Sequence, residues 1–188
     1  MPLTPSCWVG WPTLSPTGDD TVLMAAERDR DTAGRARNAR PRDELGRPLP
    51  RTAADDVPRV PDDLVIAPAA AAELGGRLLA EGRPFHAHEV FEAAWKSLPG
   101  PEQRELWRGL AQIAVGLTHA RRGNTSGAVA LLRRGAGHVA GFTTASSEVD
   151  AALLDPQLVA AQAMGLAKRI ERDGLTDLPE ADLRLRLG

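Results

Sequence analysis

Prolines divide this chain of 188 residues into two parts that meet near residue 64. Nine of the fifteen prolines fall within residues 1–63, where each one removes a backbone hydrogen-bond donor and blocks the continuation of a helix. Because no apolar periodicity accompanies them, this segment cannot bury enough surface to offset the entropy of ordering it. The sequence predicts a largely disordered Pro- and Arg-rich tail over residues 1–63 and a folded domain over residues 64–188.

Residues 28–51 of the tail carry eight arginines against four acidic residues. One interpretation is that this positively charged segment is an arm that binds a partner or phosphate groups. The other interpretation is a solvated linker, which we favour because no aromatic side chain is interleaved for the stacking of bases. Met24 opens a more regular charged stretch and is a second candidate for the start of the protein.

After residue 64, apolar residues recur at helical spacing between proline and glycine breaks. The clearest stripe comprises Leu106, Leu110, Ile113 and Leu117, spaced by four, three and four residues. The pattern predicts helices over about 69–80, 85–98, 102–122, 125–139 and 156–172, with Thr125 or Ser126 as the cap of the fourth and a short sixth helix near residue 179. Short linkers favour antiparallel neighbours. The predicted fold class is all-α: a compact antiparallel bundle or short array of five to six helices.

Composition excludes several classes of protein. A formal net charge of −2 makes a nucleic-acid partner a poor expectation. The single cysteine, Cys7, rules out an internal disulfide and a zinc site built from cysteines. No apolar run is long enough to span a membrane, and the first ten residues lack the pattern of a secretory signal. We therefore expect a cytoplasmic protein whose partners are unknown, and a homo-oligomer is compatible with the sequence.

The candidate chemistry lies on the second helix, in FHAHEVFEAAWK at residues 85–96. If His88 is set at 0° on a helical wheel, Glu92 lies at about 40°, between the three aromatic side chains at about −60° to 60°. An imidazole and a carboxylate aimed at the core need a partner, because a buried charge must be paired, neutralised or metal-bound. His86 lies at about 160° on the same wheel and is expected to face solvent.

The third helix supplies candidate partners for this pair. Its polar stripe comprises Arg108, Gln112 and His119. Gly109 and Gly116 lie between this stripe and the apolar face, and small residues let another helix approach closely. A close approach of the second helix at the glycines would bring His88 and Glu92 near Gln112 and His119.

The segments FHAHEVFEAAWK and WRGLAQIAVGLTHARRGN resemble a bacterial and archaeal helical family, the domain of unknown function 309, over roughly residues 70–140. The family's H-x-x-x-E-x-x-W/Y motif is met by His88, Glu92 and Trp95, and Gln112, His119 and Gly123-Asn124 match its second helix. The resemblance implies an all-helical fold and brings the conjecture that the motif binds metal, but it implies no activity. Arg108-Gly109 departs from the family's pattern, and an arginine there makes a cation site less favourable.

In the first interpretation, His88, Glu92 and His119 hold a divalent metal, because two imidazoles and a carboxylate suit Zn, Mn or Fe(II). The surrounding pocket would be lined by Glu89, Trp95, Arg108 and Gln112. Glu89 would then be available as a base for metal-assisted chemistry. A zincin metalloprotease is excluded, because residue 92 is Glu where that motif requires a second His.

In the second interpretation, the chain is a non-enzymatic helical interaction module. His88 and Glu92 then bond each other and Gln112, and this buried polar network fixes the register of the helices. A third interpretation places Glu92 at the surface, paired with Lys96 one turn later. The sequence leaves open whether the protein is an enzyme and names no substrate.

Overall fold

A computed structural model describes residues 41–53, 60–61, 63–98, 100–142 and 153–188. Within these residues the chain forms five α-helices and one 3-10 helix. The elements are α1 (Pro68–Ala80), α2 (Pro84–Ser97), α3 (Pro101–Arg121), α4 (Thr125–Ala140), α5 (Pro156–Asp173) and the 3-10 helix Glu180–Leu183. The all-α fold class is confirmed, and the short sixth helix is of the 3-10 type.

Prolines and polar caps set the helix starts. α1, α2, α3 and α5 each begin with proline in the first turn, where its missing N–H has no intrahelical partner to lose. The Asp155 side chain accepts from the N–H groups of Gln157 and Leu158 at the start of α5. Asn124 caps α4 by accepting from the Gly127 N–H. The prediction of Thr125 or Ser126 as this cap is wrong, because Thr125 is already the first helical residue.

The helices pack in chain order, each against the next. Small and aliphatic side chains fill most of the core between them, and Phe91 and Trp107 are its largest fully buried members. The two rings lie 5.9 Å apart between α2 and α3. None of the described helices is both long and apolar enough to cross a membrane.

α4 packs against the glycine strip of α3, which comprises Gly109 and Gly116. A Cβ at Gly109 would lie 2.9 Å from the Gly135 carbonyl oxygen, and one at Gly135 would lie 2.7 Å from the Gly109 carbonyl oxygen. Gly116 meets Leu132 of α4 in the same way, at 3.0 Å. The prediction that the second helix occupies this strip is therefore wrong, because glycines of both α3 and α4 create the close approach.

Residues on both sides of the helical segment are also ordered. Residues 41–49, within the segment predicted as a tail, form a turn closed by an antiparallel bridge between Arg42 and Pro48. Disorder of residues 1–40, their arginines and the alternative start at Met24 lie outside the described residues. After the 3-10 helix, Leu185 and Leu187 are buried, and the Asp155 N–H donates to the Leu187 carbonyl at 2.6 Å.

Candidate functional site

The buried face of α2 is made of small residues together with one aromatic. Four residues are fully buried on it: Ala87, Val90, Phe91 and Ala94. Their spacing of three, one and three residues defines one helix face, centred roughly 110° from His88 on the wheel. The prediction that the aromatic arc marks the core is therefore only partly right, because Phe91 is buried but Phe85 and Trp95 are half-buried.

His88 and Glu92 lie side by side at the edge of this face. Their side chains are 22% and 25% exposed, and His88 Nε2 lies 3.7 Å from Glu92 Oε2. That distance is too long for a hydrogen bond, and the contact is an ion pair only when His88 is protonated. The other carboxylate oxygen, Oε1, lies 3.0 Å from Lys96 Nζ. The expected Glu92–Lys96 pair is thus present, and Glu92 bridges His88 and Lys96.

The surroundings favour a neutral imidazole at His88. Burial lowers its pKa, the Glu92 carboxylate works against that shift, and the Lys96 ammonium lowers the pKa further. The buried Nδ1 atom has no hydrogen-bond partner within the part of the chain that the structure describes. At pH 7, His88 therefore presents an uncharged donor and acceptor beside a carboxylate.

A cleft of about 380 Å³ opens beside this pair. One wall is α2, and the other is residues 60–65, which precede α1. The cleft is lined by Val60, Pro61, Asp63, Leu64, Val65, Phe85, His88, Glu89, Glu92, Ala93, Lys96 and Ser97. Such a volume and such a mixture of apolar and polar lining are typical of small-molecule sites.

The polar residues of α3 do not reach this cleft. His119 lies at the C-terminal end of α3, where its Nδ1 is 2.8 Å from Asn124 Nδ2. Gln112 is half-buried, and its buried Oε1 has no hydrogen-bond partner among the described residues. Neither Gln112 nor His119 is among the residues that line the cleft, and α4 rather than α2 packs against the glycine strip of α3.

The proposed ligand set is divided as a result. His88 and Glu92 are together and His119 is apart, and the described residues contain no group of three or more His, Cys, Asp or Glu that could hold a metal ion. Of the predicted pocket residues, Glu89 lines the cleft. Trp95 lies outside its lining, with the Arg104 guanidinium 5.7 Å from its ring. Arg108 is exposed and pairs with Glu105 at 3.3 Å.

His86 is buried, with 4% of its surface exposed, contrary to the expectation that it faces solvent. Its ring meets the edge of Phe85, with the ring centroids 5.6 Å apart. Burial and the nearby Arg83 guanidinium lower the pKa of His86 to about 4. The expectation was wrong because the wheel was centred on the aromatics, and the Val90–Ala94 side of the helix carries the core.

Sequence reasoning also missed the second wall of the cleft. Val60, Leu64 and Val65 fall among prolines at the predicted tail boundary, so no periodicity marks them. The turn at residues 41–49 supports the same region, because the Arg42 guanidinium lies 5.6 Å from the centre of the Phe85 ring. A Cβ at Gly46 would collide with that ring at 2.2 Å. The signal that was available is the apolar quartet within residues 60–66, which interrupts the polar tail.

The similarity to known proteins lies in the part of the chain that contains α2 and α3. Residues 73–131 match the model of a family described as a domain of unknown function, DUF309. This segment belongs to the DUF309 family. The resemblance predicted from the two sequence segments is thereby confirmed.

The DUF309 segment runs from α1 into α4. It holds the α2 wall of the cleft, whereas residues 60–65, the turn at 41–49 and α5 lie outside it. A relative, described as "Uncharacterized protein YpuF" of Bacillus subtilis (strain 168), is 44% identical over 48 residues. That alignment covers 26% of this chain and 28% of YpuF. No solved structure matches the chain.

Proposed function

We propose that the cleft between α2 and residues 60–65 binds a small, partly apolar ligand that carries a positive charge. The observation that carries this proposal is the placement of His88, Glu89 and Glu92 in one cleft with the apolar side chains of Val60 and Leu64. Polar groups that converge in an otherwise apolar, concave surface are the usual signature of ligand recognition. The protein is then a helical ligand-binding protein.

The charge of the lining favours a cationic ligand. Among the described lining residues, Asp63, Glu89 and Glu92 contribute carboxylates and Lys96 contributes an ammonium. With His88 neutral, the charges of these described residues sum to a negative value at pH 7. A ligand ammonium near Glu92 would replace part of the interaction that the Glu92 carboxylate now makes with Lys96. The apolar part of the ligand would pack against the side chains of the opposite wall.

A divalent cation is a second candidate, because His88 Nε2 and Glu92 Oε2 lie within 3.7 Å of each other. Two ligands at about 2.1 Å from a tetrahedral zinc ion lie about 3.4 Å apart, close to the 3.7 Å found here. Two protein donors leave the coordination of such an ion incomplete, since His119 is elsewhere. The metal proposed from the sequence therefore requires further donors from water or from a ligand.

The decisive experiment compares hexylammonium with hexanoate, two probes of similar shape and opposite charge. Each is titrated into uniformly ¹⁵N-labelled full-length protein without a His tag, and amide shifts are followed by NMR. We expect hexylammonium to bind with a Kd on the order of 1 mM, as suits so few atoms, and to shift resonances of α2 and residues 60–65. Hexanoate should leave them unchanged.

Two variants test the assignment to the cleft. Glu92→Gln removes the carboxylate without changing its size and should weaken hexylammonium binding about tenfold, as expected for a lost charge-assisted interaction. Glu171→Gln, at an exposed residue of α5 that pairs with Arg133, is the matched control and should leave binding unchanged. Equal shifts with both probes, or equal binding by Glu92→Gln and wild type, would contradict the proposal. Zn²⁺ titrated into the same samples tests the second candidate, which requires loss of zinc affinity in His88→Ala.

A further inference from the structure

Lys96 lines the α2 cleft one helical turn after Glu92. Its ammonium Nζ lies 3.0 Å from Glu92 Oε1, and the two side chains are 62% and 25% exposed, respectively. An ion pair so open to water contributes little free energy, because both groups are well solvated when they separate. A ligand that enters the cleft can therefore displace Lys96 from Glu92.

A ligand that carries a positive charge alone would disturb this pair. Its ammonium would bind the Glu92 carboxylate and would leave the Lys96 ammonium nearby, and two like charges that share one carboxylate repel each other. The neighbouring His88, whose Nε2 lies 3.7 Å from Glu92 Oε2, supplies no negative charge to offset this repulsion. The arrangement therefore favours a ligand that brings a negative charge of its own for Lys96.

The short distance between the two protein charges limits where that negative charge can lie on the ligand. Lys96 Nζ and Glu92 Oε1 are within hydrogen-bond distance, so the ligand groups that face them must also be close neighbours. An α-amino acid has its ammonium and its carboxylate on one carbon atom, and the four charges can then alternate in sign. Val60 and Leu64 line the same cleft, and their apolar side chains suit an aliphatic side chain of the ligand.

We propose that the cleft binds an α-amino acid with an aliphatic side chain, whose ammonium contacts Glu92 and whose carboxylate contacts Lys96. This inference rests on the function proposed above, because it specifies the class of cationic ligand that the same cleft takes. Lys96 is then the residue that determines specificity, since it distinguishes an amino acid from a simple amine. Glu92 binds the ammonium of either ligand.

The experiment compares norleucine, pentylammonium and 6-aminohexanoate by NMR titration of the full-length, untagged protein. Norleucine is pentylammonium with a carboxylate on the carbon that carries the nitrogen, whereas 6-aminohexanoate has its two charges at opposite ends. We expect norleucine to bind about fivefold more tightly than pentylammonium, as for the gain of one exposed ion pair, and more tightly than 6-aminohexanoate. Norleucine binding no tighter than pentylammonium would overturn the inference.

Lys96→Met tests the role of the ammonium, because methionine keeps an unbranched side chain and removes the charge. We expect the preference for norleucine over pentylammonium to disappear in this variant, and pentylammonium to bind at least as tightly as it does to wild type. Lys168→Met changes the other lysine of the chain, at an exposed position of α5, and is the matched control that should keep the preference. A preference that survives Lys96→Met would contradict the assignment of the carboxylate to Lys96.

The outcomes separate this inference from the function on which it rests. Pentylammonium that binds in the cleft as tightly as norleucine contradicts the α-amino acid and leaves the proposal of a cationic ligand standing. If none of the three probes shifts resonances of α2 and residues 60–65, both proposals fail.

Discussion

The buried imidazole of His86 makes the stability of this protein depend on pH. The pKa of His86 is about 4 in the folded chain, against about 6.5 in an unfolded one. Between these values the unfolded chain binds a proton that the folded chain does not, so stability falls as pH falls from about 6.5 to 4. His86 alone should remove about 3 kcal/mol over this window. Urea unfolding at several pH values across the window measures the loss.

His86→Leu isolates that contribution from the other titrating groups. Leucine keeps an apolar side chain of comparable size at a buried position and cannot take up a proton. We expect the free energy of unfolding of the variant to depend less steeply on pH than that of wild type, with the two curves converging or crossing as the pH falls. Parallel curves across the window would show that His86 titrates alike in the folded and unfolded chains.

At the scale of single residues, the sequence predicts neighbours along a helix better than it predicts the direction in which they face. The one-turn spacing of His88, Glu92 and Lys96 is enough to predict that the three side chains meet, and they do. The burial of His86 could not be predicted in this way, because alanines carry much of the buried face of α2. Alanine contributes little to the apolar face that a helical wheel predicts, whereas large aromatic side chains shift the centre of that predicted face toward themselves.

At the scale of the helices, the packing of α3 against α4 depends on Gly109 having no Cβ atom. At Gly109 that atom would lie 2.7 Å from Val139 Cγ2 and 2.9 Å from the Gly135 carbonyl oxygen. Gly109→Ala must therefore separate two helix backbones. Overpacking costs about 1–3 kcal/mol, and the gain in helix propensity returns about 1 kcal/mol, so we expect a net destabilisation of up to about 2 kcal/mol in urea unfolding.

Gly137→Ala is the control for this substitution, because a Cβ there meets nothing within 4 Å. It lies in the same pair of helices and makes the same chemical change. Without overpacking, the gain in propensity should stabilise the protein by about 0.5–1 kcal/mol. A Gly109→Ala protein as stable as Gly137→Ala would mean that α3 and α4 are not in backbone contact.

The sequence predicts the existence of the helices well and their neighbours less well. Prolines at helix starts and an apolar stripe such as that of α3 are local signals, and they place all five helices within a few residues of their observed bounds. Which helix fills the Gly109 strip depends on Gly135, a residue 26 positions away along the chain. A strip of small residues predicts that another element approaches closely, but it does not identify that element, so the strip was assigned to α2 when α4 occupies it.

At the scale of the whole chain, segments without periodicity complete the structure. Residues 60–65 form one wall of the cleft, and the turn at 41–49 supports Phe85 at its edge. The turn and residues 60–63 were assigned to the tail, because prolines and charged residues outnumber apolar residues in these stretches. Their order comes from contacts with helices far along the chain, and such contacts leave no pattern in a local window. The α2 side of the site could therefore be predicted, and the opposite side could not.

The last residues of the described chain test this dependence on distant contacts. Leu187 is 4% exposed, and its Cδ1 would lie 3.4 Å from a Cβ at Gly76 of α1, so it joins α1 to the start of α5. Leu187→Ala should cost about 2–4 kcal/mol, from the lost burial and the cavity left behind, measured as a lower urea midpoint at unchanged m-value.

Arg186→Ala is its neighbour control: the side chain is exposed, and its backbone hydrogen bonds with the Gln162 side chain remain. Its effect should stay within about 0.5 kcal/mol. If both variants unfold at the wild-type midpoint, the segment after the 3-10 helix contributes nothing to stability.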